Sequence, residues 1–149
     1  MSGRSSGLAA LARWRGFQEA RAATARQLAQ QAALSAAEQT RQAQEQATAL
    51  GLHRLALQQR PLLDLARVAA CSAMEQAAWG EVAQCAEHQQ QKDTAAAQAR
   101  AQHEDAHRNA EAVAQRVDRV RSAEQREAEM RAFETLAQLR PLQRRAVDD

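Results

Sequence analysis

Residues 103–107 read His103-Glu104-Asp105-Ala106-His107, the H-E-x-x-H spacing of many zinc peptidases. On a helix, two histidines four apart share one face. They can bind a zinc ion there while the glutamate between them activates a water. That chemistry also needs a third protein ligand and a cleft to hold a peptide. The extended pattern would place Gly at 110 and a third His at 113, where Ala110 and Val113 stand. Glu124 and Glu127 sit on the same uninterrupted run, roughly 25–30 Å from His107 if it is helical, and cannot reach back. His103, Glu104 and His107 are therefore read as a decoy, and no metal site, catalytic residue or cofactor is expected.

The remaining reactive side chains assemble no better. Cys85 and His88 are three apart, without the orienting group or oxyanion pocket that a nucleophilic pair requires. Cys71 and Cys85 are fourteen apart, roughly 21 Å along a helix, too far to bridge within it. Two unpaired thiols suit a reducing compartment, so a cytoplasmic location is expected. No Walker A run and no G-x-G-x-x-G is present. Arg116, Arg119 and Arg126, with Arg140, Arg144 and Arg145, are interleaved with Asp118, Glu124, Glu127 and Glu129. No basic stripe survives that mixing, so nucleic acid is not an expected partner.

The elements that would carry these residues follow from composition. Of 149 residues, 38 are Ala and 21 Gln, while Leu, Val and Phe together number only 22. That is too little large apolar surface for a thick globular core. The dominant residues are strong helix formers, and β-formers are scarce. No apolar run reaches the roughly 20 residues of a membrane span, so direct membrane insertion is not expected. An all-α, long two-helix antiparallel coiled-coil hairpin is left, as a single unit over residues 1–149.

Breakers and charge set its layout. Gly3, Gly7 and Gly16 suggest a frayed start; Gly51, Pro61 and Gly80 fall within thirty residues; Pro141 closes the last long run. Residues 1–60 carry eight Arg against Glu19, Glu38 and Glu45, a balance of +5. Residues 61–149 carry twelve basic and fifteen acidic groups, a balance of −3. Opposite charge favours folding back. The reading is helix one over about 8–58, a turn near 58–61 and helix two over about 62–140, with a C-terminal overhang. A turn at 70–80, with Pro61 as a kink, is the rival placement. The expected seam runs through Leu8, Leu11, Trp14 or Arg15 and Gln18, then Ala22, Ala25, Ala29, Ala32 and Ala36. It meets Val113, Val117 and Val120 on helix two. A shifted stripe of Met130, Phe133 and Leu136 or Ala137 then breaks the heptad.

Larger side chains gather at the free ends (Leu8, Leu11, Trp14 and Phe17 against Met130, Phe133, Leu136 and Leu139) and in the turn region from Leu50 to Val68, where Leu62, Leu63 and Leu65 stand out. Trp79 stands apart. Anchors at the two tips of a slender pair of helices are candidate contact sites.

The layout resembles the FliJ/YscO family, the central-stalk proteins of flagellar and Hrp-type or other virulence type III secretion. Leu8-x-x-Leu11 with Arg13, Arg15 and Arg21 is similar to that family's first helix. Glu124-Gln125-Arg126-Glu127-Ala128-Glu129-Met130-Arg131-Ala132-Phe133 is similar to its charged run ending in Met-x-x-Phe. Here Arg replaces the family's usual Lys, and Ala132 stands at its acidic position before the Phe. The resemblance implies a non-enzymatic stalk at the inner-membrane base of the secretion machine. Such a stalk inserts into the hexameric secretion ATPase, contacts the export-gate protein and handles substrate chaperones, and it is expected to be monomeric when free. By position along the helices, Trp14, Phe17, Met130, Phe133 and Leu136 would mark the ATPase end, and Leu62, Leu63 and Leu65 the gate end. A self-assembling scaffold coiled coil, with intermolecular pairing in place of the hairpin, is the alternative, and a zinc peptidase the remote one.

Overall fold

The computed structural model describes residues 3–145 in backbone and residues 6–138 in side chain. Two helices account for nearly all of it: α1, Gly3–Gln58, and α2, Leu65–Arg145. The chain is an all-α helical hairpin, and no described residue is in a strand.

The turn has a local cause at each end. At the end of α1, Gln59 N–H donates to the Leu55 carbonyl at 3.2 Å and Arg60 N–H to the Leu57 carbonyl at 3.4 Å, tightening the last turn. Pro61 then disfavours helical angles at Arg60. The restart belongs to Asp64. Its Oδ1 accepts the Arg67 N–H at 3.1 Å and its carbonyl accepts the Val68 N–H at 3.0 Å, which is an N-cap. Helix two thus begins at Leu65, not 62, and Pro61 lies in the connection without opening a helix. The loop at 59–64 also leaves Gly51 and Gly80 inside helices, and neither has a positive φ. At the far ends, α1 is helical from Gly3 where a frayed start was expected. Likewise α2 continues through Pro141 to Arg145.

Contacts divide the chain into two compact units, residues 21–103 and residues 1–20 with 104–149. In the first unit, buried and half-buried positions on α1 recur at alternating steps of three and four: Ala29, Ala33, Ala36, Thr40, Ala43, Ala47, Leu50. The matching row on α2 runs Val68, Cys71, Glu75, Ala78, Val82, Cys85, Gln89 and onward to His103. This is a heptad seam whose knobs on α1 are mostly methyl groups. Its centre is Ala43, Ala47 and Val82, with Ala78 and Cys85 packed against them. Among the described residues Thr40 is the buried polar one, and its hydroxyl donates to the Ala36 carbonyl at 3.0 Å. Near the turn Arg54 Nε bonds Glu75 Oε2 at 2.6 Å across the seam. Gly51 makes room for that carboxylate, because a Cβ there would lie 2.9 Å from Glu75 Oε1.

In the second unit the α1 row is Leu8, Ala12, Arg15 and Glu19, and the α2 row is Ala106, Ala110, Val113, Val117, Val120 and Glu124. Of the two residues the stripe offered, Trp14 or Arg15, it is Arg15 that turns inward, and Ala12 takes the place expected for Leu11; Leu11 and Trp14 are exposed. Its Nη1 donates to Gln18 at 3.0 Å, while its buried Nε has no acceptor. From 125 to 138 every residue of α2 is exposed. The reason is length: α1 runs out near its Gly3 start, leaving the end of α2 without a facing helix.

Candidate functional site

The H-E-x-x-H residues are committed elsewhere. Arg26 Nη1 lies 3.3 Å from His103 Nδ1, so a fixed cation occupies the place where a metal would approach that nitrogen. His107 Nδ1 lies 2.6 Å from Glu19 Oε1. That hydrogen bond, then the Glu19 charge, raises the His107 pKa above 6.5. Glu104 is exposed, and Asp105 pairs with Arg108. Among the described residues no three His, Cys, Asp or Glu side chains are placed to hold a metal ion. Cys71, buried, points its thiol at the Leu50 carbonyl at 3.6 Å, and Cys85 is half-buried in the seam; both are free thiols.

Some of the charge on the outer faces is paired along its own helix. Arg41 bonds Glu38 at 2.6 Å and also Glu45. The hydrogen bonds that Glu38 accepts from Arg41 and then from Gln42 hold its carboxyl down at about 2, and Glu38 in turn raises the Arg41 pKa. Arg131 pairs with Glu127 at 3.3 Å. The side chains of Leu139, Arg140, Arg144 and Arg145, named from the sequence, lie outside the described residues.

What remains exposed and chemically distinctive is apolar. At the terminal end Trp14, Phe17, Met130, Phe133 and Leu136 are all more than half exposed. Trp14 and Phe17 stack on each other, with ring centroids 6.0 Å apart. They do not face the other three, however. The Glu19–His107 pairing sets Trp14 level with about residue 112, roughly 27 Å along α2 from Met130 at 1.5 Å per residue. The expected juxtaposition therefore gives way to two separate patches: a stacked pair on α1, and a stripe on the bare end of α2. At the turn Leu62 is 89% exposed, with Leu63 and Leu65 also open. Leu52 and Leu55, which lie in the same turn region from Leu50 to Val68, are exposed as well, and so is Met74, which sequence reasoning missed. For the leucines a signal existed: once the alanines of α1 are accepted as the seam, every Leu off that register must point outward.

No helix of the described residues is long and apolar enough to cross a membrane. No protein-family model matches the sequence, and no curated protein and no solved structure matches it.

Proposed function

We propose that this protein works by contact and not by turnover. In this reading it is a coiled-coil stalk of the FliJ/YscO type, serving type III secretion at the cytoplasmic base of the machine. The observation that carries the reading is the inversion of packing. Alanines close the seam, while the Trp14–Phe17 pair on α1, the stripe of Met130, Phe133 and Leu136 on the bare end of α2, and Leu62, Leu63 and Leu65 at the turn stay in solvent. Large apolar side chains left outside a finished seam serve as anchors for other proteins, since contiguous apolar surface marks interaction sites. The terminal anchors engage the pore of the hexameric secretion ATPase. The leucines of the turn reach the export-gate protein, and the mixed-charge faces between them remain for substrate chaperones.

The test is retention of the ATPase in a pull-down with the full chain. Phe133→Ala should lower it about tenfold or more, as loss of a buried aromatic anchor does. Phe133 stands on the bare end of α2, so the substitution leaves the hairpin's helicity unchanged by circular dichroism. Undiminished retention removes Phe133 from the contact.

A further inference from the structure

The unit formed by residues 21–103 carries a hollow and a knob on one side. The hollow is a groove of about 310 Å³ floored by Ala33, Ala96 and Ala97, walled by Leu34 and flanked on α2 by Asp93 and Arg100. It exists because methyl side chains leave the space between two helices unfilled. The knob is Trp79, 47% exposed. Trp79, Ala86, Asp93 and Arg100 follow one another at intervals of seven, so the indole stands on the same row that edges the groove. The centre of the groove, near Ala96, is seventeen residues from Trp79, roughly 25 Å along α2.

From this juxtaposition we infer, in place of the free monomer that the family resemblance implies, that a second copy of the chain docks here in two-fold, antiparallel fashion, each Trp79 seated in the other's alanine-floored groove. A knob and a hole on one face, separated along one axis, are the requirement of an isologous pair: both contacts form at once and the assembly closes at two. The polar groups fit the indole. Asp93 of the second copy accepts its Nε1–H, which needs a partner once buried, and Arg100 of the second copy covers its face. Between knob and hole the facing row holds Ala83, Ala86 and Gln90, none charged. Across from them Arg41 pairs with both Glu38 and Glu45, which leaves that cluster a net charge of −1, a modest and salt-screened repulsion at an exposed surface. The face is about 30 Å by 20 Å, roughly 600 Å² per partner, at the small end of specific interfaces. The pair uses neither the terminal anchors nor the leucines of the turn. It therefore stands apart from the ATPase contact, which the Phe133→Ala pull-down tests separately.

Sedimentation equilibrium of the full chain, from about 1 to 200 μM, is the first measurement, and a dimer is expected with no larger species. Trp79→Ala, and separately Ala97→Glu in the groove floor, should each weaken dimerisation about tenfold or more while helicity is retained. In a Trp14→Phe background, the emission of Trp79 should shift to the blue and resist acrylamide quenching as concentration rises. A monomer throughout the range overturns the inference. So does a dimer that both substitutions leave intact, or a Trp79 shift obtained only on adding phosphatidylglycerol vesicles.

Discussion

At the scale of the residue, the His103–His107 motif illustrates how a spacing takes its meaning from its neighbours. The sequence places two imidazoles on one helical face. The facing helix then gives one of them a cation, Arg26, and the other an anion, Glu19. The second pairing has a pH signature. Because the folded state raises the His107 pKa above 6.5, it binds that proton more tightly than the unfolded chain does. The contribution is complete below the unfolded value and disappears as pH rises through the raised one. Titration of the His107 ring by NMR should therefore give a midpoint above 6.5, and Glu19→Gln should bring it back down. A wild-type midpoint at or below the ordinary value would show that the pair does not form in solution.

At the scale of the element, glycine separates two roles that composition alone cannot distinguish. Gly16 and Gly51 are both helical, yet a Cβ at Gly16 would meet open space and one at Gly51 would meet the Glu75 carboxylate. Gly16→Ala should therefore stabilise the fold by about 0.8–1 kcal/mol, the helix-propensity difference. Gly51→Ala should gain distinctly less, since the carboxylate that Arg54 holds must move. Thermal melts of the two variants compare the gains, and equal gains would mean the Gly51 space has no function in packing. The helices themselves were legible in the sequence, because Ala, Gln, Arg and Glu leave no other regular structure available. Their joints were less so. Gly51 and Gly80 read as breakers although a helix tolerates an isolated glycine, while Asp64, the residue that restarts the chain, was hidden among ordinary acids. The terminal and turn anchors were visible by size. Their partners were not, since a one-residue slip between stripes decides whether Leu11 or Ala12 faces inward.

At the scale of the whole molecule, burial is uneven, and dynamics should follow it. Among the described residues, the unit of residues 21–103 holds Ala36, Thr40, Ala43, Ala47, Leu57, Cys71 and Val82 in buried positions. The other unit holds only Val117 there. Even the better unit packs methyl groups, with no large side chain fully buried. At about 25 cal/mol per Å² such a seam yields little free energy per turn of helix. Local opening tracks the number of apolar contacts protecting each backbone hydrogen bond. Amide exchange read by mass spectrometry should then be slowest over residues 36–57 and 71–85. It should be faster over residues 8–19 and 106–120, and fastest over 125–138, where the helix has no facing neighbour. Adding the ATPase should slow exchange first in that last segment if Met130, Phe133 and Leu136 are its anchors, because a helix of that length gains most from a surface to lie against. Slow exchange there in the free chain would mean that another copy or segment already covers the stripe, and the stalk reading would lose its anchor.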